Sequence, residues 1–150
     1  MTKKTLFLII AVLALAGLSF YLNRDRFRSP TIQIGERWME PRGAMARRAK
    51  APSKVLMFLF DRRVQLSSVK VVHVSDAQTN RFPHPIWELV SDSNSVPVKE
   101  VIYGQPIRGM KPSVKGATAD PLQPGVAYRL FIQAGSQKAE HDFSGPATAP

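Results

Sequence analysis

Val126-Ala127-Tyr128-Arg129-Leu130-Phe131-Ile132-Gln133 decides how the body of this chain folds. Val126, Tyr128, Leu130 and Ile132 alternate with Arg129 and Gln133, so an extended backbone puts an apolar row on one face and a polar row on the other. The residue types are those that fit a pleated, half-buried surface. Outward from this stretch the same period recurs. Ala139, His141 and Phe143 oppose Lys138, Glu140 and Asp142, and Trp87 and Leu89 oppose Glu88 in Ile86–Val90. Val101 and Tyr103 share a face in Val98–Tyr103, and Val69-Lys70-Val71-Val72-His73-Val74 reads as a further strand. Val64 and Leu66 flank Gln65, and the parity change at Ser67-Ser68 reads as a bulge or turn. Val55-Leu56-Met57-Phe58-Leu59-Phe60 is continuously apolar, which predicts a strand buried on both faces and broken by Asp61-Arg62-Arg63. About seven short strands punctuated by Pro, Gly, Asp and Asn, with no helical period after residue 52, predict an all-β antiparallel sandwich or a small barrel.

Leu122-Gln123-Pro124-Gly125-Val126-Ala127-Tyr128 resembles the L-x-P-G-x-x-Y turn and strand of fibronectin type III and related immunoglobulin-like sandwiches. In that corner the Tyr hydroxyl bonds to backbone upstream and pins two strands. Pro124-Gly125 suits a type II turn, with φ fixed at Pro and positive at Gly. Phe60–Val64 with Val69–Val74 is also similar to the opening strands of bacterial immunoglobulin-like domains. The resemblance implies a seven-stranded immunoglobulin-like sandwich over residues 55–144, with Leu122, Pro124, Gly125 and Tyr128 as its structural corner. The chain departs from fibronectin type III in having no Trp in its first long strand, its body Trp being Trp87. Such folds serve adhesion, spacing and partner binding far more often than catalysis, although fold alone does not decide function.

Composition narrows the function classes. The 150 residues are 44% hydrophobic and 21% charged, which fits one folded domain and not a disordered chain. The absence of Cys excludes disulfides, thiolate metal sites and a thiol nucleophile. The net charge of +10 is concentrated early: residues 1–30 hold five Lys/Arg against one acid, residues 31–54 six against two, and residues 55–150 ten against eight. A nearly neutral body does not present the basic, aromatic-interleaved face that meets nucleic acid, so no nucleic-acid partner is expected.

Leu6 to Leu22 carries no charge, after Lys3 and Lys4 and before Arg24. Apolarity on every side predicts a transmembrane or signal helix over residues 1–23, since a soluble helix would show a stripe. Ala14-x-Ala16 offers a signal-peptidase site, but apolar residues run on through Leu18, Phe20, Tyr21 and Leu22, which favours an uncleaved anchor. Counting Arg24, Arg26, Arg28, Arg37 and Arg42 after the span against Lys3 and Lys4 before it places the body in the cytoplasm by the positive-inside rule. The layout of a short apolar leader before a small β domain is that of exported proteins, and an extracytoplasmic, membrane-anchored body is the expectation. Residues 24–54, rich in Arg and interrupted by Pro41, Gly43 and Pro52, read as a basic linker able to touch anionic lipid headgroups, and residues 145–150 as a disordered tail.

No nucleotide-binding or serine-hydrolase motif occurs, and the carboxylates Asp61, Asp76, Glu88, Asp92 and Glu100 form no evident acid/base pair. No enzyme activity, cofactor or small-molecule substrate is expected. His73, His84 and His141 lack ligand spacing, so no metal site is assigned, and His141 reads as a hydrogen-bonded imidazole on an inward row. A copper carrier using His84, His141 and Met110 is the alternative reading, and a structural spacer is another. Asp92-Ser93-Asn94-Ser95 fails the calcium-loop pattern and reads as a turn. The long stretch Gly104–Gly125 reads either as a packed loop hiding a short edge strand or as a binding loop. In the binding reading, Arg108, Met110, Lys111 and Lys115 meet a protein partner with an acidic surface.

Overall fold

The computed structural model describes residues 3–22, 31–43, 54–92 and 95–147, in two units, residues 1–30 and 31–150. Residues 24–30 and 44–53 of the expected linker, Ser93-Asn94 and residues 148–150 lie outside the described residues.

In the first unit, helix α1 runs Lys3–Leu22, 20 residues, a rise of about 30 Å. Leu6, Leu8, Ile9, Ile10, Val12, Leu13, Leu15, Leu18 and Tyr21 are all exposed, so no apolar stripe is buried. Counted over the described residues, no helix is long and apolar enough to cross a membrane. In the sequence, α1 holds an unbroken uncharged run from Thr5 to Leu22.

The second unit is mostly β, with eight strands among its described residues: β1 (Ile34–Met39), β2 (Val55–Val64), β3 (Ser68–His73), β4 (Pro85–Val90), β5 (Val98–Ile102), β6 (Lys111–Pro112), β7 (Ala127–Ala134) and β8 (Gln137–Ser144), plus a short helix α2 (Val74–Thr79). They form two antiparallel sheets, β1-β2-β5 and β6-β4-β3-β7-β8. Phe58, Leu56, Phe60 and Val101 from the first sheet and Val71, Leu130, Ile132, Trp87 and Phe143 from the second bury their side chains in one core. The alternation of β7 reaches it intact, with Tyr128, Leu130 and Ile132 at most 2% exposed.

Four sequence expectations need correction. The folded body begins at Thr31 and not at residue 55: Ile32 is 3% exposed in the core, and β1 pairs with β2 from Ile34↔Phe60 to Met39↔Val55. β1 is an edge strand whose Glu36 and Arg37 are both exposed, and that charge is what made it look like linker. Asp61-Arg62-Arg63 does not end β2 but bulges within it, where the pairing jumps from Leu59↔Glu100 to Val64↔Val98. The Met57 and Leu59 face of β2 is only half-buried, so the strand has one fully buried side. The tail expectation fails at Gly145, which is buried and donates its N–H to the Val126 carbonyl at 2.9 Å.

The turn at Gln123–Val126 is the hinge of the second sheet. Gly125 has φ +71°, and the Val126 N–H reaches back to the Gln123 carbonyl at 3.4 Å, closing the turn. The Tyr128 hydroxyl accepts the Gln123 N–H at 2.9 Å. A Cβ on Gly145 would overlap the Gln123 carbonyl, so the chain leaving β8 touches the same peptide. Tyr128→Phe is expected to cost about 1 kcal/mol in urea unfolding, and Gly145→Ala about 1–3 kcal/mol through overpacking. Because both changes act on the Gln123 peptide, the double variant is expected to depart from additivity by at least about 0.5 kcal/mol.

Candidate functional site

Residues 103–126 connect β5 to β7, and their path explains most of what the loop does. The register defines two ends of the sandwich. Ile34, Val64, Ser68, Val90, Val98, Ala134 and Gln137 gather at the end where the chain enters, and Met39, Val55, His73, Pro85, Ile102, Ala127 and Ser144 at the far end. From the far end the loop runs down beside β4, where Ile107 buries its side chain, and the Arg108 carbonyl accepts the Val96 N–H at 3.3 Å. There the Gly109 carbonyl accepts the Ser91 hydroxyl at 3.0 Å, and Gly109 has φ +82°. The loop then returns as β6, pairing Lys111 with Val90 and Pro112 with Leu89. Ser113 bonds Glu88 through both backbone and hydroxyl, and Asp120 donates its N–H to the Ile86 carbonyl at 3.0 Å. The return is stapled to the start by Tyr103, whose hydroxyl donates to the Asp120 carbonyl at 2.8 Å while its ring meets Trp87 edge-on at 5.1 Å.

The expected binding residues are therefore distributed, not gathered. Arg108 is exposed at the entry end. Lys111 is paired with Asp92 at 2.5 Å, both side chains well exposed. Lys115 sits on a separate turn closed by Ala117 N–H to the Val114 carbonyl, beside Val114. Met110 is half-buried against the core, as Ala119 and Leu122 are, so part of its side chain supports the loop. Beneath the Val114 turn lies an open groove of about 300 Å³ between His84, Trp87, Glu88 and Asp120. A larger, shallow hollow of about 520 Å³ lies on the outer face of the second sheet, where Phe131 is flanked by Lys70, Lys138 and Glu140.

The histidines are apart. His84 is exposed in the β3–β4 connection, and His73 packs on Tyr128 at 4.9 Å. His141 lies on β8, its Nε2 hydrogen-bonded to Glu36 Oε2 on β1 at 3.2 Å, which links the two sheets across their open seam. The proposed copper set is thus split between that seam and the β4 side, and no group of three His, Cys, Asp or Glu comes together among the described residues. Four carboxylates have cationic or hydroxyl partners: Asp61 with Arg62, Glu88 with Ser113, Asp92 with Lys111, and Asp142 with Arg129 in a two-pronged pair at 2.5 and 2.8 Å. The hydrogen bond from Arg129 holds the Asp142 carboxyl below its ordinary range. Among the described residues no buried side-chain polar atom lacks a partner.

No family model, curated protein or solved structure matches the chain.

The Tyr103 phenol is held well above its ordinary range, first by burial and then by Asp120 and Tyr128. A folded value raised above the unfolded one of about 10 contributes stability that is complete below pH ~10 and is lost as pH rises beyond it. In an alkaline absorbance titration, Tyr103→Phe is expected to remove the phenol that ionises together with unfolding. A smooth, non-cooperative titration of Tyr103 in the folded protein would contradict this. Arg108→Ser, Lys111→Ser and Lys115→Ser together are expected to change stability by less than about 1 kcal/mol, since exposed ion pairs contribute little. Chemical denaturation measures it.

Proposed function

We propose that this chain is a membrane-tethered β-sandwich module that acts by binding a protein partner and not by catalysis. The observation that carries the reading is α1, on which nine large apolar side chains are exposed around the helix. A helix that is apolar on all sides needs a hydrocarbon or protein surround, and a lipid surround is the reading its uncharged run supports.

The division of the strands supports a fibronectin type III-like or immunoglobulin-like sandwich. The first, second and fifth strands form one sheet, and the third, seventh and eighth lie side by side in the other. The Gln123–Tyr128 corner has the geometry that the motif calls for. In place of a Trp in the first long strand, Phe58 fills the centre of β2 and meets Phe143 edge-on at 5.1 Å.

The partner reading favours an acidic protein surface, met by Arg108 and by Lys115 beside exposed Val114, with Lys111 already engaged by Asp92. The exported layout favours a body on the extracytoplasmic side. The second reading, a cytoplasmic body, is favoured by the Arg residues that follow α1. Protease protection of a C-terminally tagged chain in spheroplasts distinguishes them. A full-length band digested from outside is expected for an anchored, exported body. A protected full-length band supports the cytoplasmic reading, and a band shortened by about sixteen residues means a cleaved leader and no tether.

A further inference from the structure

The near-neutral body hides an uneven charge distribution. At the entry end, Arg62 and Arg63 lie on the bulge of β2, Lys99 on the second residue of β5, Lys138 on the second residue of β8, Lys111 on β6, and Arg108 beside Val96. Against these six cations the same end holds three carboxylates, Asp61, Asp92 and the exposed Glu100 next to Lys99. The rest of residues 55–150 has four cations and five carboxylates. Arg63, Lys99, Arg108, Lys111 and Lys138 are all exposed, and they come from both sheets and from the loop beside β4. The cations are thus not confined to one sheet. Val96, 43% exposed, and exposed Pro97 add apolar surface at the same end.

This is also the end that receives the chain from α1. Ile32 and Gln33 lie there, the Gln33 carbonyl accepting the Asp61 N–H at 3.2 Å. Eight residues, 23–30, separate Leu22 from Thr31, at most about 30 Å of chain even when fully extended.

We infer that the basic entry end docks on an anionic lipid surface, with Arg63, Lys99, Arg108 and Lys138 as headgroup contacts. The inference rests on the membrane-tether reading of α1. A Lys or Arg near an anionic bilayer adds attraction that falls off within the screening distance of about 8 Å at physiological salt. Docking of the entry end would bring its cations within that distance, and attraction of this kind needs no dedicated pocket. The sequence between β1 and β2 is also basic, but β1 carries the chain the length of the sandwich, so Arg42 and Lys54 belong to the far end.

The chain has no Cys, so a single introduced thiol labels uniquely. The test uses the full chain reconstituted in vesicles, with a fluorophore on Ser136→Cys at the entry end or on Asn80→Cys beyond α2. The vesicles carry a headgroup-linked quencher and are either phosphatidylcholine alone or phosphatidylcholine with phosphatidylglycerol. Flotation reports insertion, and quenching reports docking. The expected result is flotation in both lipids, with strong quenching of the Ser136 label only in the anionic vesicles. Each cation changed to Gln is expected to lower the ratio of docked to undocked protein about fivefold. Circular dichroism confirms that Arg63→Gln, Lys99→Gln, Arg108→Gln and Lys138→Gln leave the sheet folded, and the single changes serve if the combination does not.

Equal quenching in neutral and anionic vesicles overturns the docking while leaving the tether intact. Preferential quenching of the Asn80 label also overturns it and transfers the contact to residues 40–54. Failure to float overturns the tether and the docking together.

Discussion

Tyr128 holds the second unit together because three constraints meet on one side chain. Its hydroxyl accepts the Gln123 N–H, its ring stacks on Phe143 at 5.6 Å, and its other neighbour is His73 at 4.9 Å. Phe143 in turn meets Phe58 edge-on, so the corner turn, β3, β8 and the opposite sheet are coupled through two aromatic rings. Aromatic pairs of this geometry add to the energy of burial and also fix orientation. Tyr128 itself is 1% exposed, and the chain reversal before β7 cannot shift without disturbing that packing.

Each open side of the sandwich has its own closure. On one side β1 and β8 approach, and the Glu36–His141 bond spans them with polar side chains on both edge strands. On the other, the 103–126 loop covers the edge of β4 through β6 and the Ser113 and Asp120 contacts, while Ile107 enters the core. Unpaired strand edges invite association with other chains, and covering them with a short strand or placing charge on them prevents it. The segment whose Lys and Arg suggest binding is therefore first a cover, and whatever it binds meets a loop already fixed to the sheet.

What the sequence reveals depends on how many residues share a period. β7, with four inward positions in strict alternation, and the Pro124-Gly125 turn are readable because local preference and tertiary role agree. β1 is not, since only Ile32, Ile34 and Trp38 mark its packed side and Glu36 and Arg37 give the surroundings the composition of a linker. β6 has two residues and α2 six, too short for any period to register. The need for Gly at 145 is invisible locally, because it comes from a peptide more than twenty residues earlier in the chain. For the candidate site, the loop's length and glycines are legible, whereas the pairing of Lys111 with Asp92 and the turning-in of Met110 depend on which strand the loop returns along. The cations at the entry end escape a segment-by-segment charge count, since they lie on five separate stretches of chain.

Entry at one end and exit at the other gives the sandwich a mechanical axis. Tension applied between Thr31 and the residues after Ser144 runs along β1 and β8 and not across them. The six residue pairs joining β1 to β2 would then bear load together, in shear, instead of opening one at a time like a zip. Forced rupture is governed by the height of the unfolding barrier and not by equilibrium stability. A short edge strand that contributes little to the core would thus decide how much pull the module withstands before it yields.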